Sequence, residues 1–234
     1  MSVHDVKIVR GLLATNDCVA AANRQLFQEA GVLTVNVIAS PGAGKTSLIT
    51  RTIQVLHERA GHPVPVGVIE GDIAGSIDTE KVLEAGAVDA VQINTGGNCH
   101  LDAGMVQQAL ASLELEQLDL VFIENVGNLI CPTHWALGEH LKLCLASAAE
   151  GHDKPIKYPE IFAKSDVIVL NKMDLKDMVD FDPEFFYAAV RALNPDVPVF
   201  EVSCRSGLGL AEWADWLLAE RQHTFSNQST AWAR

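Results

Sequence analysis

A glycine-rich turn constrains the fold of this chain more tightly than any other feature. Ala39-Ser40-Pro41-Gly42-Ala43-Gly44-Lys45-Thr46-Ser47 follows an apolar run, Val32–Ala39, and opens a helical stretch, Lys45–Ala60. A strand, a glycine loop ending in Gly-Lys-Thr, and a helix make a phosphate-binding loop. The glycines let backbone N–H groups turn inward onto phosphate oxygens, and the helix adds the positive end of its dipole. In this reading Pro41, Gly42, Ala43, Gly44 and Ser47 line the cradle. Lys45 reaches the β- and γ-phosphates, and Thr46 offers its hydroxyl to Mg2+. The motif usually starts with glycine. Ala39 stands in that place and is compatible with it if its φ is negative.

The rest of the chain repeats the strand–helix rhythm. Val32–Ala39, Val64–Ile69, Val88–Ile93, Leu118–Glu124, Asp166–Asn171 and Val197–Val202 are nearly continuous apolar runs rich in Val and Ile, as strands buried on both faces must be. Gly61 and Gly86 suit left-handed C-caps, and Asp182-Pro183 suits a helix start. The expectation is an α/β fold with a mostly parallel sheet and helices on both faces. Residues 1–30 read as a helical extension of one or two helices, with Asn16 or Asp17 as a cap and Gly31 as a stop. Residues 31–220 form the nucleotide domain, and 221–234 form a polar tail expected to be disordered.

A net charge of −13 argues against nucleic acid or anionic lipid as a general partner. The longest stretch free of charged side chains, Ala30–Gly44, spans 15 residues, short of a transmembrane helix. No secretory layout opens the chain, and the five cysteines are scattered without a disulfide framework. A cytoplasmic globular protein with reduced thiols is expected.

Asn171-Lys172-Met173-Asp174 follows the fifth of these runs. A carboxylate at Asp174 accepts from the N1–H and exocyclic amine of guanine, two donors that adenine lacks. Asn171 suits the O6 and N7 edge, and the Lys172 stem suits the plane of the base. Ser203-Cys204-Arg205, after the sixth run, stands where a last base-contacting loop belongs. GTP is the expected nucleotide. Glu124-Asn125-Val126-Gly127 takes the γ-phosphate-sensing place, with the Gly127 N–H on the phosphate and Glu124 helping to hold Mg2+. Asp72, in Glu70-Gly71-Asp72, is a candidate for the Mg2+ shell, for orienting the attacking water, or for a helix N-cap.

A second group of residues suits a softer ion. Cys99-His100 lies beyond the third run, and Cys131 lies four residues beyond Gly127. Loops at the carboxyl ends of parallel strands share one rim, so Cys99, His100 and Cys131 can converge. Two thiolates and an imidazole suit Ni2+ or Zn2+. Cys18, Cys144 and Cys204 read as small core or loop residues, and His134 and His140 as members of a solvated helix face.

Together these motifs resemble the hydrogenase maturation GTPases that help to insert nickel into [NiFe]-hydrogenase. The resemblance runs from about Asn16 to about Glu220. It rests on Asn16-Asp17 with Asn23-Arg24, Ser-Pro-Gly-x-Gly-Lys-Thr, Glu-Gly-Asp, Asn-Thr-Gly followed by Cys-His-Leu-Asp, Glu-Asn-Val-Gly-Asn-Leu-Ile-Cys-Pro, Asp153-Lys154-Pro155-x-Lys157-Tyr158-Pro159 and Asn-Lys-Met-Asp. It implies a P-loop GTPase of slow turnover that forms a homodimer, with the Cys99/His100/Cys131 metal site at or near the subunit interface. It also implies a zinc-containing nickel chaperone as partner, and the hydrogenase large subunit as client, directly or through that chaperone. Lys154 and Lys157 are candidates to act across the dimer. Some members carry a Cys-x-x-Cys-Gly-Cys motif or a histidine-rich stretch for nickel; this sequence has neither. Two rivals remain at this stage. One is the related urease accessory GTPase, which would show Cys-Pro-His after Thr-Gly-Gly. The other is a non-enzymatic nickel or zinc buffer.

Overall fold

The computed structural model describes residues 3–72 and 77–226. Strands β1 (Leu33–Ala39), β2 (Val66–Asp72), β3 (Asp89–Asn94), β4 (Leu120–Glu124), β5 (Leu141–Ser147), β6 (Val167–Asn171) and β7 (Val199–Glu201) alternate with helices. These are α1 (Val3–Ala30), α2 (Lys45–Ala60), α3 (Ile77–Glu84), α4 (Ala103–Leu110), α5 (Lys154–Lys157), α6 (Pro159–Lys164), α7 (Pro183–Leu193) and α8 (Leu210–Phe225). The strands form one sheet in the order β3-β2-β4-β1-β5-β6-β7, and every pairing is parallel.

The period-two geometry of a strand divides the core between the two faces. Val35, Val37 and Ala39 of β1 and Phe122 of β4 pack with Ile49 and Ile53 of α2 and with Trp213 of α8. On the opposite face, Val121 and Ile123 join Phe27 of α1 and Val106 of α4. Ile38, Ile168 and Leu170 on that face join Phe162 of α6 and Phe186 of α7. Trp213 is fully buried and donates its indole N–H to Thr52 Oγ1 at 2.9 Å, which pins α8 onto α2.

Four details depart from the sequence reading. A seventh strand, β5, lies beside β1; its run Leu141-Lys-Leu-Cys-Leu-Ala-Ser begins with a polar alternation that hides its burial. Cys144 therefore belongs to a strand and is fully buried. The extension is a single helix, and neither Asn16 nor Asp17 caps it. Asn16 is buried mid-helix, where its amide donates to Ala136 O at 2.9 Å and accepts from Ala103 N–H at 2.8 Å. The expected tail starts too early, because α8 continues to Phe225, which packs edge-on against His140; residues 227–234 lie outside the described residues. His140 itself is not on a solvated helix face. It precedes β5, its Nδ1 accepts from Thr34 N–H at 3.2 Å, and burial, helped by the Arg24 charge, lowers its pKa to about 4.

α1 also shapes the rim where function is expected. Asn23 is fully buried and donates to Ala103 O and Leu137 O at 2.9 and 3.0 Å. Gly138, at φ 100°, meets the helix so closely that a Cβ there would lie 2.7 Å from Asn23 Cβ. The Asn16 and Asn23 amides thus staple the start of α4 and the 136–137 segment to one helix. Gly31 ends that helix at φ 72°, as expected.

Candidate functional site

β1 stands between β4 and β5, so strand order reverses around it, and its carboxyl end opens into a crevice. Two cavities of about 450 and 430 Å3 fill that crevice and share Gly44, Ser47 and Lys172. One end is lined by Asn171, Asp174, Cys204 and Arg205 with Arg51. The other is lined by Lys45, Thr46, Glu70, Asp72, Glu124 and Gly127. A base fits the first end and a polyphosphate the second.

At the base end the side chains hold one another. Asn171 is 2% exposed; its amide donates to Ala43 O at 3.0 Å, and its Oδ1 accepts from Cys204 N–H at 3.3 Å. It therefore fastens the phosphate loop to the base loop, a role that its motif position alone does not reveal. Gly44, at φ 102°, sits so near this amide that a Cβ would come within 2.6 Å of Asn171 Nδ2. Lys172 is the one non-glycine among the described residues with positive φ, at 60°, and its ammonium donates to Gly42 O at 2.7 Å. Such conformations persist where surrounding contacts enforce them. Ser203 donates to Asp174 Oδ1 at 2.6 Å and so orients the carboxylate expected to read the base. Burial pushes the Cys204 thiol up to about 11, so this residue meets a ligand as a neutral thiol or through its backbone.

At the phosphate end, Ala39 closes β1 without a positive φ, which satisfies the condition set by its departure from glycine. Thr46 Oγ1 donates to Glu124 Oε1 at 3.0 Å, and the Lys45 ammonium lies 3.8 Å from the same oxygen. A hydroxyl and a carboxylate side by side beneath a phosphate cradle form a donor set that fits Mg2+. Glu70 is buried and accepts from Thr79 at 2.6 Å; no role was assigned to it from sequence, although it sits in the same Glu-Gly-Asp triplet as Asp72. Asp72 ends β2 and lines the cavity. Its N-cap reading falls on residues 73–76, outside the described residues. Gly127 packs on the phosphate loop: a Cβ there would lie 3.0 Å from Pro41 Cγ.

The softer ligand set converges. One ligand atom each from Cys99, His100 and Cys131 lies within 4.8 Å of the others, and the Cys99 sulfur is 3.7 Å from His100 Nδ1. Gly96 and Gly97, at φ 61° and 94°, make the turn that leads into Cys99. Asp102 caps α4 directly after it by accepting from Met105 N–H at 2.8 Å. Cys131 opens a 3-10 turn, Cys131–His134. The His100 ring stacks on Trp135 with centroids 4.5 Å apart, and burial lowers its pKa, which favours the neutral imidazole that a metal needs. The neighbouring Cys131 thiol, by hydrogen bonding, and then burial raise the pKa of Cys99. Two sulfurs and a nitrogen at this spacing, exposed on one side, fit Ni2+ or Zn2+ with a coordination position left over.

The other singled-out residues are placed more plainly. His134 faces Glu160 at 3.1 Å on the surface, and Cys18, expected in the core or a loop, is instead exposed in the middle of α1. Lys154 and Lys157 lie on the short helix α5. Lys157 pairs with Asp153 at 2.5 Å, while Lys154 meets Glu150 at 3.1 Å and Ser40 Oγ of the phosphate loop at 3.2 Å. No helix among the described residues is long and apolar enough to cross a membrane.

These features agree with the proteins that the chain is similar to. The CobW/HypB/UreG nucleotide-binding domain family matches residues 33–201. The hydrogenase maturation factor HypB of Azotobacter vinelandii is 47% identical over 216 residues, covering 92% of this chain and 70% of that one. HypB from Archaeoglobus fulgidus superposes with a TM-score of 0.80 at 39% identity, over 89% of this chain and 99% of that structure. HypB from Helicobacter pylori in complex with nickel superposes with a TM-score of 0.83 at 31% identity, over 90% and 97%. The H. pylori sequence, named a hydrogenase/urease maturation factor, is 32% identical over 97% of this chain and 93% of its own. By fold and by these similarities, the chain belongs to the CobW/HypB/UreG nucleotide-binding family and, within it, to the hydrogenase maturation factors HypB.

Proposed function

We propose that this chain is a GTP-hydrolysing nickel metallochaperone of [NiFe]-hydrogenase maturation, in which the bound nucleotide controls how tightly the Cys99/His100/Cys131 set holds its ion. The observation that carries this reading is the shared rim. The phosphate-sensing Glu124–Gly127 segment runs directly into the loop that bears Cys131, and the Cys99–His100 ligands lie across from it.

Specific residues divide the work. Pro41 to Ser47 turn their N–H groups on the phosphates, and Lys45 supplies a cation where charge develops in the transition state. Asn171, Lys172, Asp174, Ser203 and Cys204 select guanine. Thr46 and Glu124, with Asp72, would hold Mg2+, whose positive charge neutralises the β- and γ-phosphate oxygens when it is bound. Asp72 or Glu124 orients the attacking water. Loss of the γ-phosphate removes the partner of the Gly127 N–H. A displacement of about an ångström is enough to spoil thiolate and imidazole ligands that need bonds near ~2.0–2.3 Å. Nickel is the cargo, and zinc suits the same donors. The chain works as a homodimer with a zinc-containing nickel chaperone and the hydrogenase large subunit, in the cytoplasm. Delivery to urease is the second reading, favoured by the double role in the name of the H. pylori relative.

Native mass spectrometry with phosphate-release kinetics tests the proposal. Expected are GTP turnover, one nickel per subunit and a dimer with a non-hydrolysable GTP analogue. Nickel binding without GTP turnover would leave only the metal buffer. Restoration of hydrogenase but not urease activity in a host lacking the gene would decide between the clients.

A further inference from the structure

Two asparagines flank the phosphate-sensing Gly127, and both reach sideways to the loop that carries Cys99 and His100. Asn125 is fully buried. Its Oδ1 accepts from Val126 N–H at 3.0 Å and from Leu101 N–H at 3.2 Å. Its Nδ2 donates to Asn36 Oδ1 of β1 at 3.2 Å. Asn36, also fully buried, donates in turn to Glu139 Oε1 at 3.2 Å. Asn128 stands on the outer side of Gly127. Its Nδ2 donates to Cys99 O at 3.1 Å, and its Oδ1 accepts from Ile130 N–H at 2.9 Å. One side chain therefore ties the backbone of the first metal ligand to the segment that leads into the third.

The two bridges act differently. The Asn36–Asn125–Leu101 set links β1, the end of β4 and the segment before α4, and buried amide networks of this kind, once satisfied, rigidify their surroundings. Asn128 is partly exposed, stands on the Cys131 side of Gly127 and bonds the ligand-bearing residue Cys99 itself. Gly127 between them lies against Pro41 of the phosphate loop, where an added Cβ would stand 3.0 Å from Pro41 Cγ. A shift of Gly127 on loss of the γ-phosphate would pass through Asn128 to Cys99, while Asn125 would hold Leu101 in place. The ligand set is then distorted rather than translated as a body.

We infer that Asn128 is the positioning residue that couples nucleotide state to the metal site, through its hydrogen bond to the Cys99 carbonyl, with Asn125 as the fixed pivot. This rests on the proposed nucleotide control of nickel and adds the contact through which it runs. The direct path along residues 127–131 alone moves Cys131; the Asn128 bond is what brings Cys99 into the response.

Substitutions at Asn128 separate this role from a structural one. Truncating the fully buried Asn125 would leave the Leu101 N–H and the Asn36 Oδ1 without the bonds it makes to them, a cost to folding itself, so the test uses the partly exposed Asn128. Asn128→Asp keeps the acceptor for Ile130 N–H but has no hydrogen to give the Cys99 carbonyl; Asn128→Ala removes both bonds. The readout is the ratio of nickel dissociation constants with GDP and with a non-hydrolysable GTP analogue, followed by nickel–thiolate charge-transfer absorption. The intact protein is expected to show a ratio of roughly 5- to 150-fold. Both variants should lower it towards unity while still binding nickel. A ratio preserved in Asn128→Asp or in Asn128→Ala would overturn the inference and leave nucleotide control standing. A ratio of one in the unmodified protein would overturn nucleotide control, and the inference with it.

Discussion

At the base end of the crevice, Asn171 has both ends of its amide bonded to protein, Lys172 is locked onto Gly42 by its ammonium, and Ser203 aims the Asp174 carboxylate. At the metal end, Cys99 is exposed, and His100 and Cys131 are only partly covered. They are held from outside by contacts such as Asn128 to the Cys99 carbonyl and the His100 ring on Trp135. The first corner is tied together by its own side chains, so that, in the proposed function, base choice rests on preorganised complementarity. The second can change shape at small cost. The proposed carrier, which keeps its nucleotide while it releases its ion, needs that asymmetry.

The comparison breaks most severely at Cys131. Cys131→Ser removes one of three soft ligands and should abolish high-affinity nickel binding, together with any nucleotide effect on what remains. GTP binding should persist, since Cys131 does not line the crevice. Isothermal titration with nickel and with GTP would show both; a fall in GTP affinity as large as the fall in nickel affinity would mean that the two corners are one site. At the rigid end, Asp174→Asn replaces an acceptor with a donor and matches xanthine's carbonyl in place of guanine's amine. With hydrogen bonds to a charged group worth about 1.5–3 kcal/mol each, loss of two should weaken GTP binding by more than about 100-fold and strengthen XTP binding. Unchanged GTP affinity would displace the base pocket from this corner.

A smaller effect separates the corners by pH. The Cys99 pKa is raised, so its proton must be expelled when nickel binds, whereas the lowered pKa of His100 leaves the imidazole neutral through the physiological range. Nickel affinity should therefore rise with pH below the Cys99 pKa, by about tenfold per unit for that proton. His100 contributes only on the acid side, below the usual histidine range. GTP affinity should stay level over the same interval. A nickel affinity independent of pH between neutrality and the alkaline side would show that Cys99 is not bound as thiolate.

Much of this was legible in the chain because local chemistry carried it. Gly-Lys-Thr after a Val/Ile run, Asn-Lys-x-Asp after another and the Cys-His pair each need their neighbours in sequence, and the α/β alternation needs only periodicity. What escaped depends on contacts across the fold. β5 was hidden because its first residues alternate with Lys142 and its burial comes from β1 and β6 on either side. Asn16 has the composition of a helix cap, yet it serves as a buried clamp on Ala103 because α1 lies against α4. Asn125 and Asn128 lie inside the quoted Glu-Asn-Val-Gly-Asn motif without a role, since their partners, Leu101 and Cys99, are distant in the chain. The polar end of α8 read as tail because its anchors, Arg221 on Asp119 and Phe225 on His140, lie far away in the chain.

Nucleotide control of the metal site is tested most directly from the nucleotide side. Linkage requires nickel to change nucleotide affinity by the same factor by which nucleotide changes nickel affinity. The measurement is the preference of the unmodified chain for a non-hydrolysable GTP analogue over GDP, determined by fluorescence titration without nickel and then at saturating nickel. That preference should shift by roughly 5- to 150-fold when nickel is bound. Identical preferences in the two titrations would mean that a GTP site and a nickel site merely share one domain.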